Sequence, residues 1–137
     1  MLLGGEAYSP RTPEDARRAG VAMVHQELSL CPHLRVDENI LLGVEPTRLG
    51  VVRRRAMEAR ARAVLAPMLG EGTRIEPEML VGDLPPASRQ LVEIARALAQ
   101  ESLRLLILDE PTSSLGKGDV ERLFTVLRGL RARGLTI

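Results

Sequence analysis

The chain has 137 residues, of which 45% are hydrophobic and 27% charged, with a net charge of +1. This is the composition of a folded globular domain and excludes a disordered chain. The near-neutral balance argues against a nucleic-acid partner, and neither a run of about 18 apolar residues nor a secretory leader pattern is seen. Cys31 is the single cysteine, so no internal disulfide can form. Between Leu30 and Pro32 it reads as a small buried hydrophobe.

In chain order, Thr12-Pro13-Glu14-Asp15 supplies a capping hydroxyl, a proline at the first helical position and an acid at the third, and Gly20 supplies a stop. The run Val21 to Val24 reads as a short buried strand that ends at His25-Gln26. From Val36 to Gly43, Asp37 is placed to cap a short helix carrying Ile40, Leu41 and Leu42. A longer helix is expected over Arg53 to Leu69, with Met57, Ala61, Val64, Leu65 and Met68 on one face, kinked or shortened by Pro67. Its opening Arg53-Arg54-Arg55 reads as a solvated face, with a phosphate or partner contact as the alternative. Gly70 to Leu84 reads as a connector. A second amphipathic helix is expected from about Ser88 to Gln100, with Leu91, Ile94, Ala95 and Leu98 in its stripe. Leu103 to Leu108 reads as a strand covered on both faces. A final helix, Asp119 to Arg133, presents Val120, Leu123, Phe124, Leu127 and Leu130, Gly134 stops it, and Leu135-Thr136-Ile137 opens another strand. The order predicts an α/β fold with a parallel sheet core and an inserted helical subdomain.

The strand at Leu105–Leu108 runs straight into Asp109 and Glu110, then into Pro111-Thr112. Adjacent carboxylates at the carboxyl edge of a parallel strand sit where open α/β sheets bind ligands. One acid can hold a magnesium ion and the next can take a proton from an attacking water. By itself the pattern also fits a strand ending in a solvated acidic turn.

The longer string LILDEPTSSL, preceded by LPPASRQLVEIARAL and by VAMVHQELSL, resembles the ATP-binding subunit of ATP-binding-cassette (ABC) transporters. MVHQELSLCPHLRVDENILLG and RQLVEIARAL are most similar to the first cassette of the tandem carbohydrate importers of the ribose, xylose and galactoside type. The resemblance implies a partial P-loop NTPase fold over 1–137. Residues 1–30 would carry the Q-loop, 31–100 the helical subdomain with the signature region, and 101–137 the Walker B strand and D-loop. It implies that Gln26 contacts magnesium and the attacking water, that Asp109 holds Mg²⁺, and that Glu110 is the catalytic base. Ser113, Ser114, Leu115 and Gly116 would form the D-loop facing a second cassette, with Gly116 standing where the family often has Asp or Thr.

Such a site also needs GxxxxGK[ST], whose main-chain N–H groups and lysine cradle phosphates. Lys117 is the only lysine; Gly118 follows it and Pro111 stands where the first glycine belongs. The phosphate loop is therefore absent from these residues, and Lys117 reads as a solvated turn residue. His25 and His33 both precede the Asp-Glu strand, so neither matches the family's switch histidine, and both read as ordinary polar residues beside the Q-loop. At the signature position stand Leu84, Pro85, Pro86, Ala87 and Ser88 where the family typically has LSGGQ. Hydrogen bonds to a charged group contribute about 1.5–3 kcal/mol each. Loss of two donors is expected to weaken this half-site by roughly 10² to 10⁴, with Ser88 left to supply part of the loss. Restoring Ser and Gly at 85 and 86 is expected to raise turnover.

The resemblance implies a peripheral subunit on the cytoplasmic face of the membrane that uses ATP and Mg²⁺ to energise carbohydrate import. Its implied partners are permease subunits, a solute-binding protein and a second cassette, with no nucleic acid. A non-catalytic interaction module, a soluble ABC ATPase outside transport, and a truncated gene product are the other readings. An exposed parallel edge and uncovered apolar helix faces are expected to leave the isolated chain poorly soluble or partly molten.

Overall fold

A computed structural model of the chain describes residues 2–3, 5–25, 29–70, 73–100, 102–113 and 115–137. Strands β1 (Leu2–Leu3) and β2 (Glu6–Ala7) form an antiparallel hairpin ahead of helix α1 (Pro13–Arg18) and strand β3 (Val21–Val24). Helix α2 (Val36–Ile40), the hairpin β4 (Thr47–Arg48) and β5 (Val51–Val52), helix α3 (Arg54–Leu65) and helix α4 (Pro86–Leu98) make a helical lobe. The chain then returns through strand β6 (Leu105–Leu108) and helix α5 (Lys117–Ala132).

The expected α1 forms as its sequence dictates. Thr12 caps it, accepting from the Asp15 N–H at 3.1 Å, while the Asp15 carboxylate accepts from the Thr12 N–H at 3.0 Å. Gly20 follows with φ +85°, and a Cβ there would lie 2.1 Å from the Ser102 carbonyl oxygen. That clash and the positive φ leave room only for glycine, and the Gly20 carbonyl accepts from both the Arg104 and Leu105 N–H groups, which seats β6 beside β3. The two strands pair in parallel, Val21 opposite Leu105 through Val24 opposite Leu108. Thr136 bridges the other side of β6 in parallel, as the terminal Leu-Thr-Ile run predicts. The parallel pair, reached through a long helical crossover, establishes the α/β class.

One apolar core joins the two parts. Val24 and Leu106 share it with Val92 and Ile94 of α4 and with Leu123 and Leu127 of α5. Helix α3 ends at Leu65 and passes into a 3-10 turn, Ala66–Met68, which is the effect expected of Pro67.

Four expectations are corrected. Arg35, not Asp37, occupies the cap position of α2, and the Glu38 carboxylate accepts from the Arg35 N–H at 2.9 Å. Asp37 lies in the first turn, fully buried, and takes a forked pair of hydrogen bonds from Arg35 at 3.1 and 2.9 Å. Cys31 is exposed. The cause is Asn39, which is fully buried and satisfies the Cys31 main chain, accepting from its N–H at 2.8 Å and donating to its carbonyl at 3.0 Å. Helix α4 begins at Pro86, two residues before the expected Ser88, because proline suits a first turn. Finally, Phe124 stands 45% exposed and does not join the buried stripe of α5.

Candidate functional site

The carboxyl ends of β3 and β6 lie side by side, and the Asp109 N–H extends their ladder by donating to the Val24 carbonyl at 3.0 Å. His25 follows Val24 directly, so the pairing brings His25 and the Asp109-Glu110 pair to one edge. Asp109 and Glu110 are both exposed there. Glu110 has φ +45°, a left-handed conformation that a non-glycine residue adopts at a cost of about 1–3 kcal/mol. It ends the strand abruptly and turns the chain into the loop beyond. Gln26 lies outside the described residues.

After Glu110 the loop is a pair of tight turns. The Ser113 N–H donates to the Glu110 carbonyl at 3.2 Å and the Leu115 N–H to Thr112 at 3.1 Å. Ser113 is exposed, Leu115 is half-buried, and Ser114 lies outside the described residues. Gly116 is the cap residue of α5, its carbonyl accepting from Asp119 and Val120. Its φ of −71° and a nearest neighbour at 3.9 Å from a Cβ show that no steric demand requires glycine there. Lys117 is the exposed first residue of α5 and not a loop residue.

The Leu84–Ser88 stretch forms the entry to α4. Leu84 and Ser88 are buried, while Pro85 and Pro86 are exposed. Arg89 holds this entry from inside the helix, donating to the Leu84 carbonyl at 2.9 Å and the Gly82 carbonyl at 2.8 Å. A helix start normally leaves four N–H groups free. Proline at the cap and first positions removes two, which leaves those of Ala87 and Ser88. Ser88 is 8% exposed.

On the other flank of residues 26–28, the Ser29 carbonyl accepts from Arg96 of α4 at 2.9 Å. Glu93 of the same helix is 8% exposed. Burial pushes its carboxyl above the usual glutamate range, against the charges of Arg96 and His25 and a hydrogen bond from the Ser29 main chain. One of its oxygens, Oε2, has no partner.

Among the described residues no group of three or more His, Cys, Asp or Glu side chains is gathered as a metal site. Magnesium needs no such group, because it binds through one or two carboxylates and completes its shell with water and substrate phosphate oxygens. Exposed Asp109 and Glu110, hard oxygen donors at the sheet edge, fit that requirement. Sequence reasoning found these two acids and missed Glu93, Arg96, Arg89 and Asn39. The signal available for the first three was polar residues within an almost wholly buried helix.

A family model described as ABC transporter matches residues 2–113. The ribose import ATP-binding protein RbsA 3 of Rubrobacter xylanophilus is 45% identical over 137 residues, which is 100% of this chain and 27% of that protein. RbsA of Chromobacterium violaceum is 44% identical and RbsA of Rhodococcus jostii 41% identical, each across 100% of this chain and 27% of the relative. The chain spans about a quarter of the length of the curated relatives it matches.

Proposed function

The chain belongs to the ABC transporter family, and from that premise we propose that it forms part of the first cassette of an ATPase subunit that energises ribose or related sugar import. The observation that carries this reading is the parallel register of β3 and β6, which brings Asp109, Glu110 and His25 to one sheet edge. Relatives named for ribose import and ATP binding support it. Members of this family are ATPases, and the charge and hydrogen-bonding groups at this edge suit phosphoryl transfer to water.

In this reading Asp109 offers a carboxylate oxygen to Mg²⁺, and Gln26 adds a neutral amide oxygen without adding charge. When bound, the ion neutralises charge on the terminal phosphates of ATP. Glu110 takes a proton from the attacking water onto its carboxylate. In this reading Ser113, Ser114, Leu115 and Gly116 are the residues that meet a second cassette. The Ala87 and Ser88 N–H groups at the α4 entry are the donors left for a phosphate held by that cassette. No helix among the described residues is long and apolar enough to cross a membrane. In this reading the helical lobe docks to the permease subunits. The subunit itself would sit at the cytoplasmic face of the membrane, and a solute-binding protein would complete the transporter.

A docking role has its own supporting observation. The β4–β5 hairpin turns through Leu49 and Gly50, both at positive φ, and projects Leu49 97% exposed with Val51 and Val52 beside it. MgATP hydrolysis by the native full-length polypeptide separates the two. Glu110→Gln is expected to lower kcat by about 10² to 10⁴, the range for a lost general base, while ATP binding is retained. Turnover equal to that of the unsubstituted protein would sink the catalytic assignment and leave docking as the better account.

A further inference from the structure

The Arg53-Arg54-Arg55 run and the hairpin before it serve neither the core nor the candidate site. Strands β4 and β5 pair Thr47 with Val52 and Arg48 with Val51, so Leu49 and Gly50 make a two-residue turn. Both turn residues have positive φ, +53° and +77°, the geometry for which Asn-Gly is the favoured pair. Leucine gains nothing there. It takes a left-handed conformation at a cost, and its side chain stands in solvent at the turn. Val51 and Val52 behind it are 69% and 47% exposed. Successive strand residues point to opposite faces, so neither face of the hairpin is covered.

The charge is as poorly explained by folding. From Leu42 to Arg55 there are four arginines and one acid, Glu45. Arg54 meets Glu38 at 2.9 Å, while Arg48, Arg53 and Arg55 are exposed and make no ion pair among the described residues. Helix α3 thus opens on cations with no acid in its first turn, the reverse of what a helix dipole favours.

We propose that the β4–β5 hairpin inserts into an anionic phospholipid surface, with Leu49, Val51 and Val52 entering the headgroup region and Arg48, Arg53 and Arg55 meeting lipid phosphates. The inference rests on the docking role offered for this hairpin and not on ATPase activity. At about 3.4 Å per strand residue, Arg53 lies about 10 Å behind the turn. Interfacial apolar segments reach a depth of about 5–10 Å, so the cations fall at the phosphates when the tip is inserted. Arg48, next to the tip, carries its charge back on its long apolar stem. A protein groove takes one shaped face, whereas the apolar side chains here leave the hairpin at its tip and on both faces. A fluid lipid surface accepts that arrangement, and an anionic one attracts the arginines.

The test is sedimentation of the native full-length polypeptide with protein-free vesicles of phosphatidylglycerol and phosphatidylcholine, against vesicles of phosphatidylcholine alone. Binding is expected to be at least about tenfold tighter to the anionic vesicles. Leu49→Asn suits the positive φ and so keeps the turn, and is expected to weaken that binding about tenfold. Arg53→Gln with Arg55→Gln is expected to weaken it about 25-fold, at about fivefold per basic residue near the surface. Arg53→Lys with Arg55→Lys is expected to retain it, because lipid phosphates accept either cation, whereas a fitted protein site needs the guanidinium fork. Thermal melting checks that each variant is folded. Equal binding to both vesicles, binding that the asparagine and glutamine variants leave unchanged, or loss in the lysine variant overturns the proposal. If the protein-free vesicles are not bound while native membranes still are, in a way that depends on Leu49, the occupant is a protein and only the lipid surface is overturned. Loss of that dependence on native membranes as well overturns the docking role itself.

Discussion

In the helical lobe Val36, Ile40 and Leu41 are completely buried, whereas on the paired strands Met23 and Ile107 stand 44% and 40% exposed. Around α2 the lobe also pairs the charge it buries. Asp37 is held by Arg35, which reaches on to Glu58 at 3.0 Å, and Arg54 meets Glu38 at 2.9 Å, so α2 and α3 are joined by charge as well as by packing. The strands have one ladder of four residue pairs and a single bridge to Thr136. The lobe is thus the more closed region, and Asp109 and Glu110 sit at the end of the less enclosed element. That division suits a site whose ligand supplies part of its own enclosure.

The largest expected effect tests how far the lobe depends on its buried charge. Arg35→Ala leaves the Asp37 carboxylate fully enclosed without its cation. Breaking a buried pair from one side costs about 3–5 kcal/mol. Urea denaturation is expected to show a loss of that order, and Arg35→Met with Asp37→Leu is expected to recover most of it. A loss under about 1 kcal/mol for Arg35→Ala would mean that the lobe is held by packing alone.

The second effect sets the two regions against each other with one chemistry. Ile40→Ala removes a side chain from a site with no solvent access, at about 2–5 kcal/mol. Ile107→Ala on β6 removes one that is already 40% exposed, and is expected to cost about 1 kcal/mol. Equal costs in thermal or urea melts would erase the distinction between a closed lobe and an open strand pair.

Much of this arrangement is legible in the residue pattern. The capping box at Thr12–Asp15, the stop at Gly20, the helix broken at Pro67 and the apolar run delivering Asp109 and Glu110 all act through their nearest neighbours, so local chemistry reveals them. The β1–β2 and β4–β5 hairpins escape it because two-residue strands carry no alternation, and Leu49 at φ +53° is a residue that turn rules would not choose. Cys31 is misjudged because a residue eight positions later, Asn39, takes over its main chain. The contact between Arg96 and the Ser29 carbonyl is hidden for another reason. Helix α4 is buried around most of its circumference, Gln90 to Ala95 without a break, so periodicity cannot separate a functional polar face from a solvated one. The Gln26 assignment is carried by motif similarity and by its place after β3.

The smallest expected effect gives the two regions opposite signs. Glu38 belongs to the lobe, and its carboxyl lies below the usual glutamate range because the Arg35 N–H and then Arg54 favour the charged form. Its contribution is present above the unfolded value of 4.5 and is lost as pH falls through the lowered folded value. Glu93 lies at the seam between α4 and the strand edge, and burial raises its carboxyl despite Arg96 and His25. There the folded chain binds the proton more tightly, so stability is fullest below 4.5 and declines as pH rises through the raised value. Denaturation of the unsubstituted chain, Glu38→Gln and Glu93→Gln from pH 3 to 8 distinguishes them. Glu38→Gln is expected to be less stable at neutral pH by a few tenths of a kcal/mol, about the scale of a partly exposed ion pair, with the difference vanishing in acid. Glu93→Gln is expected to gain relative to the unsubstituted chain as pH rises. If both variants shift stability in the same direction, the seam is no more hostile to charge than the lobe, and the contrast between the two regions reduces to packing.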